Sequence, residues 1–363
     1  MPYELGQRLV IGIASSALFD LSESDAYFRA NGEDLYRQYQ AQRIEETLAP
    51  GVAFGFIRKL LGLNDLRPDD PVVEVIVLSQ NDPSTGLRVM RSIESHGLLI
   101  SRAIFTQGEA PYEYIGALSM SLFLSGREQS VRDAMSAGFP AGLVIESVGR
   151  TRDDDDIVRV ALDFDGVIAS DESERVFQGS GGLAAYHQNE IDKRTVPLER
   201  GPLAEFLRDL NMIQAIERTR LVVDPEYRLR LRVSIVTARN APAHERAVHT
   251  LEEWGVTVND AFFLGGIDKG TILEVMRPDI YFDDQQGHLE STSKHAASVH
   301  IPYGIANERP AEAATVLGRP EPDGEPEPAQ ADVSASDNLD TSDTFDKVRP
   351  ANREAVATTE EDA

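Results

Sequence analysis

Short apolar runs recur along this chain, each followed by a stretch of helical character. Val75-Ile76-Val77-Leu78, Leu122-Phe123-Leu124, Val160-Ala161-Leu162, Ser234-Ile235-Val236 and Ile280-Tyr281-Phe282 have the length and apolarity of buried strands. Strand-like and helix-like runs in alternation predict an α/β fold with parallel sheets.

The pattern also repeats. Val10–Phe28 lies over Arg159–Phe177 at a constant offset of 149, and Gly51–Ile57 answers Gly201–Leu207 at 150. Further on the offset is 158: Val75–Ser79 matches Val233–Thr237, Ile93–Gly97 matches Leu251–Gly255, and Leu122–Ser125 matches Ile280–Asp283. Two Rossmann-like halves are expected, one within 1–150 and one over 157–305. Whether they share a sheet or pack face to face is open from sequence. The run Asp153–Asp156 falls in the connection and reads as a solvated loop. A small cap is expected as an insertion in the second half, over about 176–231, carrying Tyr186 and His187. His187 reads as an ordinary partly buried histidine.

Composition narrows the classes. The 363 residues, 41% of them hydrophobic, suffice for a sizeable core. There is no cysteine, which excludes disulfides and thiolate metal sites and suits a reducing compartment. Met1–Val10 has no basic region followed by a long apolar one, and no apolar run approaches the ~20 residues of a membrane span. A cytoplasmic protein without membrane attachment is expected. The net charge of −26 disfavours binding to nucleic acid polymers or anionic membranes. Part of that charge is local: thirteen acidic residues stand against three basic ones from Pro320 onward. The segment 309–363 is poor in large apolar residues and is expected to be a disordered, solvating acidic tail.

The chemistry sits at the ends of the predicted strands. Asp163 and Asp165 follow one run, Thr237 ends another, Lys269 follows Gly266-Ile267-Asp268, and Asp283-Asp284 closes a fourth segment. Parallel α/β sheets bind ligands beyond the carboxyl ends of their strands, so these groups are expected to meet. Two carboxylates two residues apart point the same way and repel unless a cation lies between them. With only oxygen ligands in the motif and no thiol, Mg²⁺ is the natural ion. Phosphoryl transfer through an aspartyl phosphate fits this set. Asp163 is the expected nucleophile and Asp165 the acid and base. Thr237 and Lys269 hold the phosphoryl group. Asp283 and Asp284 hold Mg²⁺ with Asp163 and the backbone carbonyl of Asp165. Taken singly, each element has a plainer reading as a turn, a helix cap or a solvated charge; their joint order supports the site.

The repeat shows which half can do this chemistry. Asp163 becomes Ala14, Asp165 becomes Ser16, Thr237 becomes Ser79, Lys269 becomes Pro111, and Asp283-Asp284 becomes Ser125-Gly126. The first half is expected to be catalytically silent.

This arrangement resembles the haloacid dehalogenase superfamily of phosphatases. The strings LVIGIASSALFDL, LSQNDPSTGLRVMRSIE, FDGVIASDESE, IVTARNAPAHERAVHTLEEWG, AFFLGGIDKGTILEVMRPDIYFDDQ and HIPYG are similar to the cytosolic 5′-nucleotidase I family, from about Leu9 to Gly304. That resemblance implies Mg²⁺-dependent hydrolysis of nucleoside 5′-monophosphates, AMP among them, with the same residue roles. Two alternatives stand: a superfamily phosphatase of another phosphomonoester, and a nucleotide-binding regulatory protein without turnover. For the nucleoside, Asn81, Asp82 and Arg88 are candidates if their strand end faces the site. Asn81-Asp82-Pro83 equally well forms a turn and helix cap. Arg239 either approaches the phosphate or makes a surface ion pair. A homo-oligomer is left open.

Overall fold

Residues 4–148, 154–179 and 181–308 are described by the computed structural model. The predicted acidic tail, 309–363, and Asp153 of the acidic run lie outside them.

Five strands arise from the first half: β1 (Leu9–Ile13), β2 (Val73–Ser79), β3 (Arg102–Phe105), β4 (Leu122–Ser125) and β5 (Ala141–Val144). The second half supplies β6 (Val158–Leu162), β7 (Leu231–Thr237), β8 (Asp260–Phe263), β9 (Ile280–Asp283) and β10 (Ser298–His300). The first five take the order 3-2-1-4-5 and the second five the equivalent order, 8-7-6-9-10. Register is preserved as well. Ile11 stands opposite Leu122, and its repeat partner Val160 stands opposite Ile280; Ile76 faces Arg102 as Ser234 faces Asp260.

The two halves share one sheet of ten strands among the described residues. Every neighbouring pair is parallel except the central one, where β5 and β10 run antiparallel, with Leu143 opposite His300 and Val144 opposite Val299. The strands of the two halves therefore end at opposite edges of the sheet. The segments leaving β6, β7 and β9 collect at one edge; those leaving β1, β2 and β4 collect at the other.

Alternation along the strands sorts the core. Leu9, Ile11 and Ile13 of β1 join Val158, Val160 and Leu162 of β6 in a cluster that crosses both halves. Val10 and Ala14 belong to a separate cluster on the other face of the first half, and Ala161 and Tyr281 to one in the second. Lys59, from the helix Phe54–Gly62, ties the halves by ion pairing with the buried Asp279 at 3.0 Å and donating to the Ile157 carbonyl at 3.1 Å.

The span 176–231 expected as a cap does not form one unit. Its long helix, Ala204–Val223, buries Phe206, Leu207, Leu210 and Ile213 in the shared core. A narrower segment, the helices Glu172–Gln178 and Gly182–Asp192, pairs beside the strand ends of the second half.

Candidate active site

Parallel β6, β7 and β9 bring three of the predicted segments to one edge. Asp163 follows β6 directly and is 4% exposed. Thr237 is the last residue of β7 and Asp283 the last of β9. Lys269 opens the helix Lys269–Met276, which Asp268 caps by accepting a hydrogen bond from the Gly270 amide at 3.1 Å. That placement drives the lysine side chain inward. Its ammonium lies 2.8 Å from Asp163 Oδ2 and 2.7 Å from Asp283 Oδ2.

One cation thus bridges two buried carboxylates. Burial opposes the charge on Lys269, yet Asp163 and Asp283 outweigh it and hold the ammonium well above the ordinary lysine value. Burial pushes the Asp163 carboxyl up, to about 6, against the pull of Lys269. It opposes ionisation of Asp283 too, but there Lys269 and His288 prevail and hold the carboxyl well down. Asp283 also accepts from the Tyr281 hydroxyl and from the Gln285 amide, the latter at 2.8 Å.

Asp284 is different. Burial, with Asp163 and Asp283 close by, pushes its carboxyl up to about 9. Its Oδ1 is buried without a hydrogen-bond partner. The carboxylate packs against Gly166, where an added Cβ would meet Oδ2 at 2.5 Å, and the positive φ of +72° also favours glycine there. The Asp284 carbonyl, by contrast, is anchored by His300 Nε2 at 3.0 Å and Asn307 Nδ2 at 2.9 Å. A buried carboxylate with an orphaned oxygen beside two others fits a hard cation. Asp163, Asp283 and His288 place ligand atoms within 4.8 Å of one another.

Asp165 points elsewhere. Arg239 clasps both its oxygens, Nε to Oδ2 and Nη2 to Oδ1, each at 2.7 Å. Arg239 is 3% exposed and Asp165 is partly buried, so the ion pair lies beneath the surface and not on it. Arg239 also donates to Ser173 at 2.7 Å and to Glu190 at 2.5 Å. Glu190 accepts in turn from Arg246 at 3.0 Å. Ser173 and Glu190 sit on the two short helices beside the site, so this network fixes them to the Thr237 loop. Thr237 Oγ1 itself accepts from the Arg239 amide at 3.2 Å.

Asn81, Asp82 and Arg88 are not brought to this cluster. They follow β2, at the opposite edge of the sheet. Asp82 caps the helix Pro83–Ser95, accepting from the Ser84 and Thr85 amides at 2.8 and 3.1 Å. Arg88 donates to the Glu46 carbonyl at 2.9 Å and to Gln40 at 3.2 Å. The Gln107 amide donates to the Asn81 carbonyl at 3.1 Å. The turn-and-cap reading accounts for these contacts.

Sequence reasoning passed over His288, Glu190, Ser173, Arg246 and Tyr281. His288 had a signal, since it lies five residues after Asp283 in the first turn of the next helix. Tyr281 is the one hydroxyl in its apolar run. Glu190 had none, because only docking of the short helices buries it.

A family model described as 5′-nucleotidase matches residues 1–308. The chain belongs to the 5′-nucleotidase family. It is also 32% identical over 295 residues to human cytosolic 5′-nucleotidase 1B, a match spanning 79% of this chain and 47% of that protein. The chain thus aligns with about half the length of this curated relative. Among solved structures, a chain from the structure of the Pnkp1/Rnl/Hen1 RNA repair complex matches at 13% identity, over 83% of this chain and 98% of that one. Its TM-score of 0.27 supports no argument about this member of the family. No helix among the described residues is long and apolar enough to cross a membrane.

Proposed function

We propose that this chain is a cytoplasmic, Mg²⁺-dependent 5′-nucleotidase that hydrolyses nucleoside 5′-monophosphates through an aspartyl phosphate. The observation that carries this reading is the buried Asp163–Lys269–Asp283 cluster at three adjoining strand and helix ends, in a chain of this family. An Asp163 carboxylate oxygen attacks phosphorus, and the bond from phosphorus to the 5′-oxygen breaks. Asp165 gives the leaving oxygen a proton, then takes one from the water that cleaves the aspartyl phosphate. Arg239 holds Asp165 in orientation for both steps. Lys269 and Thr237 hold the phosphoryl oxygens. Asp163, Asp283 and Asp284, with the Asp165 carbonyl, would hold Mg²⁺, and His288 is close enough to join them. When bound, the ion neutralises charge on the phosphoryl group.

The groove beside Gln285 is the better seat for the nucleoside. Arg132, Gln178, Gln285 and Asn307 line it, and Asn307 touches the Asp284 backbone. Arg132 belongs to the silent half, which would thereby wall the substrate site.

The test is phosphate release from a panel of nucleoside 5′-monophosphates, with Mg²⁺ or with EDTA, by the native chain and by Asp163→Asn. Mg²⁺-dependent release lost by about 10³-fold or more in the variant is expected. Release only from other phosphomonoesters would overturn the substrate class. Mg²⁺-dependent binding without release would favour a regulatory binding protein.

A further inference from the structure

Arg239 uses every one of its N–H donors. Nε and Nη2 grip Asp165, and Nη2 also reaches Ser173. Nη1 donates to Glu190 at 2.5 Å and to the Ala243 carbonyl at 3.0 Å. A guanidinium side chain carries five such protons, so none is left over for a phosphate. Two carboxylates hold it, Asp165 through Nε and Nη2 and Glu190 through Nη1. Glu190 is wholly buried, on the helix Gly182–Asp192. Burial opposes its charge, but Arg239 and Arg246 outweigh that and hold the carboxyl below its ordinary value.

The first half shows what that charge serves. An offset of 150 sets Gln40 against Glu190 and Glu46 against Val196, and an offset of 158 sets Arg88 against Arg246. The contacts repeat with the residues. Arg246 donates from Nε to the Val196 carbonyl at 2.9 Å and from Nη1 to Glu190 at 3.0 Å. Arg88 donates from Nε to the Glu46 carbonyl at 2.9 Å and from Nη1 to Gln40 at 3.2 Å. A neutral amide on the helix Ser22–Gln42 thus makes the docking contact that a carboxylate makes in the second half. The first half lacks the remaining charges. Asn81 stands for Arg239 and Ser16 for Asp165. The carboxylate at position 190 therefore accompanies Arg239 and Asp165, and helix docking alone does not call for it.

We propose, on the reading of Asp165 as acid and base, that Glu190 is a positioning residue for it. Its carboxylate holds Nη1 of Arg239. That fixes where Nε and Nη2 meet Asp165, and so where Asp165 meets the leaving oxygen. Glu190 acts through Arg239 and not on the substrate.

The test measures phosphate release from AMP with Mg²⁺ by the full chain carrying Glu190→Gln, Arg239→Asn, or both. If the native chain prefers another phosphomonoester, that substrate takes the place of AMP. Glu190→Gln should lower kcat by about tenfold and leave KM within about twofold, as expected when a reacting group is misplaced and substrate binding is kept. In the Arg239→Asn background the same substitution should lower kcat no further, because the group it acts through is gone. A residue that only docks its helix would leave kcat intact as glutamine, or would cost the same with and without Arg239. Either result overturns the proposal and leaves the reading of the site in place. If Glu190→Gln fails to fold, Glu190→Asp keeps the charge with a shorter reach and goes through the same cycle, judged by the same two results. No release by the native chain from any phosphomonoester would remove the reading of the site, and the proposal with it.

Discussion

The two halves of this sheet share strand order and register, yet only one carries a buried cluster of carboxylates and lysine at its strand ends. Ile11 against Leu122 and Val160 against Ile280 hold the same place in the two frameworks. Four carboxylates and one lysine, present in the second half and absent at the matching positions of the first, separate them chemically. The difference teaches why such a site is kept or lost as a set. Asp163 and Asp283 are buried and share Lys269. A buried charge without its partner is costly, so losing the lysine leaves two carboxylates uncompensated. In the first half, Ala14, Pro111 and Ser125 have replaced all three members together.

The strongest way to break this comparison is Lys269→Met, which removes the shared cation and leaves both carboxylates. Phosphate release should fall by about 10³-fold, the scale of losing an electrostatic clamp. In urea and EDTA, stability should fall by about 3–5 kcal/mol. Saturating Mg²⁺ should restore part of that loss, because the ion supplies positive charge to the same carboxylates. A variant as stable as the native chain in EDTA would show that the three charges are not a coupled set.

Arg239→Lys sharpens the contrast further. Its counterpart in the first half is Asn81, with Ser16 in place of the carboxylate it would clasp. Lysine keeps the charge and loses the two-pronged grip on Asp165. The expected result is a kcat lower by about 10–100-fold with KM nearly unchanged, since substrate binding does not pass through Asp165. A rise in KM with kcat intact would give Arg239 a direct contact with the nucleotide instead.

The sequence made the repeat and the meeting of Asp163, Lys269 and Asp283 legible, because each rests on local pattern: apolar runs, constant offsets and polar residues at run ends. What it concealed depends on long-range direction. Matched strand ends suggested that Asn81 and Asp82 would face Thr237. The antiparallel contact of β5 with β10 sends them to the opposite edge instead, and only two residue pairs set that direction. The cap boundary was hidden for a related reason. Ala204–Val223 has polar residues throughout and little amphipathic contrast, and it becomes a core helix only by packing on the shared face. Glu190 and Arg246 likewise acquire their role from docking.

The smallest effect concerns Asp82, and it tests the sheet's central antiparallel pair directly. If the two edges are opposed, Asp82→Ala removes a helix cap and nothing from catalysis. Burial opposes ionisation of Asp82, but hydrogen bonds from Ser84 and Thr85 outweigh it and hold the carboxyl down, to about 2. A carboxyl depressed on folding stabilises the native state above its unfolded value of about 3.9, and that contribution fades as pH falls toward 2. The variant should therefore lose about 1 kcal/mol at neutral pH, the usual worth of such a cap. Urea midpoints for variant and native chain should draw together as the pH is lowered through that window. KM for AMP should stay within about twofold of native, since no substrate contact is removed. A KM several times higher at neutral pH, without the loss of stability, would return Asp82 to the nucleotide and require the two edges to meet.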